Sequence, residues 1–216
     1  MTQRHSIIIP KTASYYTIGS LNTAKTIWIV LHGYGYLAEN FIKKFESIVH
    51  LESCVVAPEA LSRFYLKGFN GKIGATWMTK HQREDEIKDY VNYLDSLYQV
   101  ILAENQNCYT KINIVGFSQG GAVACRWFTQ KKPSCSNLIL WASVLPEDTI
   151  LDLKNTSTMV TFVYGNNDEF LTTDRINQFK ATLETATTKY KTIEFAGNHD
   201  IPETVLRTES NRNNWL

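Results

Sequence analysis

Ile112-Asn113-Ile114-Val115-Gly116-Phe117-Ser118-Gln119-Gly120-Gly121 decides the fold of this chain. Its first half is an apolar, β-branched run of the kind that forms a strand buried on both faces. Its second half, continuing into Ala122-Val123-Ala124-Cys125-Arg126-Trp127, reads as the opening of a helix. Between them lies G-x-S-x-G. A strand that turns sharply into a helix needs small residues on both sides of the turn, because the backbone closes on itself there. The residue at the apex is then presented above the carboxyl end of the sheet, at the amino end of the helix. Free N–H groups and aligned peptide dipoles favour negative charge at that point. Ser118 occupies the apex and is the candidate nucleophile.

Working outward, apolar runs alternate with longer helical patterns, the sign of a mostly parallel sheet covered on both faces. Strands are expected over residues 6–9, 14–18, 26–31, 54–57, 112–116, 138–142, 159–164 and 192–195, the first two forming an antiparallel start. Helices are expected over 87–104, with Ile87, Val91, Leu94, Leu97, Tyr98 and Ile101 on one stripe, over 120–130 and over 173–186. Thr172 or Thr173 is the candidate N-cap of the last of these, and a short helix is expected to start at Pro202. The 216 residues, with no evident linker or repeat, read as one domain over 1–216.

A serine hydroxyl is a weak nucleophile and needs a base within hydrogen-bond reach. Where a nucleophile sits on such an elbow, the partners follow in the order serine, acid, histidine. Of the five histidines only His199 lies beyond Ser118, so His199 is the candidate base. The acid must fall between them. Asp148, Asp152, Asp168 and Asp174 are available, with Glu147, Glu169, Glu184 and Glu194 as weaker substitutes. Asp168 ends Phe162-Val163-Tyr164-Gly165-Asn166-Asn167-Asp168, just after a hydrophobic strand and near the carboxyl edge where ligands bind in open α/β folds, and is preferred. Leu31-His32-Gly33-Tyr34-Gly35 follows another buried run. It is placed to supply a second oxyanion donor, the N–H of Tyr34, beside the N–H of Gln119. His32 precedes the serine and reads as a structural histidine bracing that loop.

Together these pieces resemble the carboxylesterase/phospholipase family of α/β hydrolases that includes the acyl-protein thioesterases. The matching stretches are Leu31-His32-Gly33-Tyr34-Gly35, Gly116-Phe117-Ser118-Gln119-Gly120-Gly121, Gly165-Asn166-Asn167-Asp168 and Gly197-Asn198-His199. The resemblance implies an α/β-hydrolase fold and hydrolysis of an ester or thioester without metal or cofactor. It also implies Ser118, Asp168 and His199 as triad, with Tyr34 and Gln119 as oxyanion donors.

The connection between residues 144 and 158 leaves room only for a loop or short turn, so no sizeable cap domain is expected. The long connection from 59 to 82 carries Phe64, Tyr65, Phe69, Trp77 and Met78 among glycines. Loops of that length are usually functional or disordered, and these residues are candidates either for a rim around a short to medium acyl group or for local packing of the long loop. An acyltransferase would use the same triad. A non-catalytic binding protein on the same fold would have no need of it.

Composition narrows the partners. A net charge of +1 with scattered lysines and arginines suggests neither a nucleic-acid face nor an affinity for an anionic membrane surface. No run approaches the ~20 apolar residues of a membrane span. The residues from Met1 to Pro10 lack the apolar stretch of an export signal. The four cysteines form no C-x-x-C pair or Cys/His cluster and read as reduced thiols. A cytoplasmic enzyme acting on a small-molecule ester or thioester is the expectation.

Overall fold

The computed structural model describes residues 1–107, 109–143, 145–152, 157–186 and 190–216. Six of seven strands of the main sheet run parallel. In order across the sheet they are β1 (Tyr15–Gly19), β3 (Ser53–Pro58), β2 (Thr26–Leu31), β6 (Lys111–Phe117), β7 (Asn137–Trp141), β8 (Met159–Gly165) and β9 (Tyr190–Phe195). Only β1 is antiparallel, to β3. The sequence explains the placement: β2, β3 and β7 are buried at every position, as their unbroken apolar runs require, whereas β1 alternates between exposed and half-buried residues, as an edge strand does.

Helices α2 (Arg83–Glu104), α3 (Gln119–Lys131), α4 (Thr173–Ala186) and α5 (Glu203–Arg212) cover the sheet. On α2 the buried stripe is Ile87, Tyr90, Val91, Leu94, Leu97, Tyr98 and Ile101. Its first turn, Arg83 to Glu86, carries no part of that stripe. It is helical all the same, with Glu84, Asp85 and Glu86 placed favourably at the positive end of the helix dipole. The hydroxyl of Thr172 accepts a hydrogen bond from Arg175 N–H at 3.4 Å, so Thr172 caps α4. Pro202 stands at the N-cap of α5.

Two expectations need correction, and one element was not anticipated. Residues 6–9 form no strand: Ile7, Ile8 and Ile9 are 86%, 87% and 70% exposed. The antiparallel partner of β1 is β3, whose unbroken buried run pairs with it from Tyr15 to Gly19. The connection from 59 to 82 contains a two-stranded antiparallel hairpin, β4 (Ser62–Tyr65) and β5 (Ile73–Thr76). Ala38 to Ile48 folds as a short helix α1 (Ala38–Phe41) followed by a 3₁₀ turn (Ile42–Ile48), burying Phe41, Phe45 and Ile48.

After β7 the chain makes one 3₁₀ turn (Glu147–Asp152); residue 144 and residues 153–156 lie outside the described residues. That turn is held by the buried guanidinium of Arg126 on α3, whose Nε and Nη2 donate to the two carboxylate oxygens of Asp148 at 2.9 and 3.2 Å. Among the described residues no helix is long and apolar enough to cross a membrane.

The tightest packing is where α3 leaves β6. A Cβ added to Gly120 would lie 2.2 Å from the carbonyl oxygen of Leu31 and 2.7 Å from that of His32. Real side chains do not approach backbone that closely, so Gly120→Ala should force α3 away from β2. The expected loss is at least about 3 kcal/mol, seen as a lower denaturation midpoint in urea. Gly68→Ala, at a site with open space but a left-handed φ of 60°, should cost less, about 1–2 kcal/mol of backbone strain.

Candidate active site

Ser118 joins β6 to α3 with φ 53° and ψ −119°, a conformation that costs a non-glycine residue about 1–3 kcal/mol. Surrounding contacts impose it. Ser118 N–H donates to Trp141 O at 2.9 Å, and Gly121 N–H donates to Ser118 O at 3.0 Å. The turn lies at the carboxyl end of β6, between the loops that follow β2 and β7.

The loops after β8 and β9 are stitched to one another. Asn166 N–H donates to Phe195 O at 2.9 Å, Asn167 N–H donates to Gly197 O at 2.9 Å, and Asn166 Oδ1 accepts from Gly197 N–H at 3.2 Å. These bonds bring Asp168 and His199 together, with 2.7 Å between Asp168 Oδ2 and His199 Nδ1. The other oxygen, Oδ1, accepts from the N–H groups of Phe170 and Leu171 at 2.8 and 3.2 Å. A carboxylate already accepting two N–H bonds takes a third from the ring, so Nδ1 carries the proton and Nε2 is the free base. The Asp168 side chain is fully buried and that of His199 is 15% exposed. The imidazole sits between Phe117, 5.0 Å away between ring centres, and Phe170, 4.7 Å away. The Ser118 hydroxyl makes no hydrogen bond to a described residue; catalytic hydrogen bonds often tighten only in the substrate complex.

The loop after β2 lies against the turn. A Cβ on Gly33 would sit 3.2 Å from Ser118 Cβ. Gly35 N–H donates to Ala75 O at 2.9 Å and Tyr36 N–H to Gly33 O at 3.3 Å, but Tyr34 N–H has no partner among the described residues. Gln119 is the first residue of α3, so its N–H lacks an intrahelical acceptor.

His32 is fully buried. Its Nε2 accepts from Ala60 N–H at 3.1 Å, which leaves Nδ1 to donate to Gly33 O at 2.8 Å. That carbonyl belongs to the same peptide unit as the N–H of Tyr34. In a trans peptide the two point in opposite directions, so His32 fixes the direction of the free donor. Burial holds the His32 pKa below its ordinary value despite the raising effects of the Gly33 carbonyl and Glu59.

Of the five residues expected at the rim, Phe64 lies beside the exposed Tyr34, with 5.1 Å between the two rings. Tyr65 and Phe69, 49% and 92% exposed, project from the hairpin. Trp77 is a core residue, 2% exposed, and its indole N–H donates to His32 O at 2.9 Å. Met78 is half-buried, with its sulfur 3.6 Å from a guanidinium nitrogen of Arg126. Trp77 and Met78 are corrected from rim to brace, because the segment just after β5 is bonded to the elbow. The Gln119 amide makes the junction: Oε1 accepts from Trp77 N–H at 3.1 Å and Nε2 donates to Met78 O at 2.9 Å. Sequence reading missed this brace and missed Phe170, which is 55% exposed beside His199. Their only trace in the sequence is an amide next to the serine and an apolar residue in a polar loop.

The model of the dienelactone hydrolase family matches residues 14–200. The chain belongs to that family. No curated protein sequence matches it, but solved structures do. The esterase PE8 superposes with a TM-score of 0.71 at 19% identity, over 94% of this chain and 99% of that one. A Bacillus cereus carboxylesterase gives 0.70 at 14% identity, over 94% and 95%. The Zea mays acyl-protein thioesterase 2 gives 0.68 at 13%, over 95% and 100%. At such identities these likenesses establish the α/β-hydrolase fold. They agree with the carboxylesterase- and thioesterase-like resemblance read from the motifs. As a member of the dienelactone hydrolase family, the chain is an enzyme of the hydrolase class.

Neutral His32 generates a pH dependence. Unfolding frees the ring to bind a proton, so the stabilisation is complete above the unfolded pKa of ~6.5 and is lost as pH falls below it. His32→Ala should lose at least about 2 kcal/mol at pH 8. In urea titrations the gap between wild type and variant should narrow steadily below pH ~6.5; a gap independent of pH would contradict a buried neutral ring.

Proposed function

We propose that the protein hydrolyses carboxylic esters or thioesters of short to medium acyl groups through a covalent acyl-enzyme on Ser118. The observation that carries this reading is the 2.7 Å contact between Asp168 Oδ2 and His199 Nδ1 beside a serine held at φ 53°. Asp168 keeps the imidazole in the tautomer whose Nε2 is free. His199 then takes the hydroxyl proton as Ser118 Oγ attacks the acyl carbonyl. The oxyanion that forms is held by the N–H groups of Tyr34 and Gln119. His199 returns the proton to the leaving alcohol or thiol, and water, activated by the same imidazole, releases the acid.

The unpartnered N–H of Tyr34, aimed by His32, supports the oxyanion assignment. Loss of one such donor typically costs about 3 kcal/mol of transition-state stabilisation. Tyr34 and Phe64 on one side and Phe170 on the other give the mouth apolar walls, which suits an uncharged acyl group. No described element closes over them, in keeping with an open site.

The test is a chain-length series of nitrophenyl esters and acyl thioesters with wild type, Ser118→Ala and His199→Ala. Each variant should lose on the order of 10⁴-fold or more in kcat with KM changed little. The profile of the wild type locates the acyl length. Full activity in Ser118→Ala, or ester products exceeding free acid when an acceptor alcohol is added, would overturn the proposal of a serine hydrolase.

A further inference from the structure

The hairpin that abuts the active-site loop is built unlike the rest of the surface. Its base is fastened: Gly35 N–H donates to Ala75 O and Ala75 N–H to Tyr36 O, and Gly74 lies so close to Gly35 that an added Cβ would meet its oxygen at 2.5 Å. Leu66 leans on the same loop, with Cδ2 3.2 Å from where a Cβ on Gly35 would be. The tip is closed by Leu66 N–H donating to Lys72 O at 2.9 Å. It carries Phe69 at 92% exposure, with Tyr65, Leu66 and Ile73 at 49%, 43% and 43%. Apolar side chains this exposed on a fixed projection are unusual on a soluble protein and mark a contact surface.

Charge separates the candidate partners. From Ala60 to Arg83 the chain has five cationic residues, Arg63, Lys67, Lys72, Lys80 and Arg83, and no carboxylate, although the whole chain has a net charge of only +1. Arg63 is paired with Glu59, and Arg83 with Glu84 and Asp148. Lys67, Lys72 and Lys80 are exposed and make no ion pair among the described residues. The carboxylates that follow are occupied: Asp85 by Arg4, Glu84 by Arg83, and Glu86 by the N–H of Thr79.

The N-terminal segment joins the same face. Tyr15 pairs with Pro58 at the carboxyl end of β3, so the residues before it emerge at the active-site edge of the sheet. Arg4 reaches Asp85 at the start of α2 and Lys11 reaches Leu61 O at the foot of β4. Strung between them are Ile7, Ile8 and Ile9, at 86%, 87% and 70% exposure.

We infer that this face docks on an anionic lipid bilayer, with the hairpin tip entering the interface and Lys67 and Lys72 lying at the level of the headgroups. An apolar tip flanked by lysines satisfies both requirements of interfacial binding: apolar area to bury in the acyl boundary, and cations to neutralise lipid charge. Aromatic residues favour that depth, and lysine stems extend to keep the ammonium in water. The fastened base sets the mouth of the active site close to the surface the tip enters. The inference does not depend on the chemistry at Ser118.

Flotation of the purified full-length chain with phosphatidylcholine vesicles, with and without phosphatidylserine, tests it. The wild type should float with the mixed vesicles, less with phosphatidylcholine alone, and less as salt is raised. Ser118→Ala should float like wild type, which separates this test from that of the proposed catalysis. Phe69→Ser, with an unchanged circular dichroism spectrum, should weaken binding by at least about tenfold. Lys67→Ala/Lys72→Ala should weaken it on the order of thirtyfold while leaving hydrolysis of a soluble short-chain ester unchanged. No flotation with either vesicle, flotation unaffected by both variants, or self-association through the tip without vesicle binding would overturn the inference.

Discussion

Everything at the carboxyl edge of the sheet depends on how closely β6, α3 and β2 approach at the nucleophile turn. A Cβ on Gly116 would meet Gly120 O at 2.4 Å, and one on Gly120 would meet Leu31 O at 2.2 Å. The backbone of Ser118 has no room to relax to a negative φ while those contacts persist. The strain of about 1–3 kcal/mol at one residue is small against the burial of β2, β6 and β7 around it, and so it is retained. The return is positional. The serine oxygen is fixed above the sheet and the amino end of α3 points at it.

Two further supports converge on that point from opposite sides of the sheet. On one side, the loops after β8 and β9 are bonded to each other before their side chains meet, so the Asp168–His199 pair is set by main chain rather than by two free rotamers. On the other, the peptide between Gly33 and Tyr34 is aimed by a buried neutral histidine, which is itself held by Ala60 and roofed by Trp77. Gln119 links the turn to the hairpin, with its N–H at the turn and its amide holding the end of β5. A disturbance of the hairpin base therefore reaches the oxyanion loop through two routes, Gly35–Ala75 and Trp77–Gln119.

The parts legible in the sequence are those whose requirement is local. The strand–turn–helix at Ser118 needs glycines at fixed offsets, and the central strands announce themselves by unbroken apolar runs. His199 emerged from chain order alone. What stayed hidden depends on contacts distant in sequence. Whether three isoleucines at 7 to 9 find a sheet edge depends on which strand takes β1, and β3 took it. Trp77 and Met78 look like Phe64 and Phe69 in a string of aromatics and glycines. Only the burial of β5 against the elbow divides brace from projecting tip. The helix and 3₁₀ turn from Ala38 to Ile48 did leave a signal, since Ala38, Phe41, Ile42, Phe45 and Ile48 recur at helical spacing. The run spans only about three turns, and the sequence reading assigned it no element.

The most direct test of the account is a crystal structure of the enzyme after reaction with an alkyl phosphonate ester, which mimics the tetrahedral intermediate. The expected adduct joins phosphorus to Ser118 Oγ. A phosphonyl oxygen should lie about 2.7–3.1 Å from the N–H groups of Tyr34 and Gln119, with His199 Nε2 facing the ester oxygens. An adduct on another residue, or a phosphonyl oxygen turned away from both N–H groups, would contradict it.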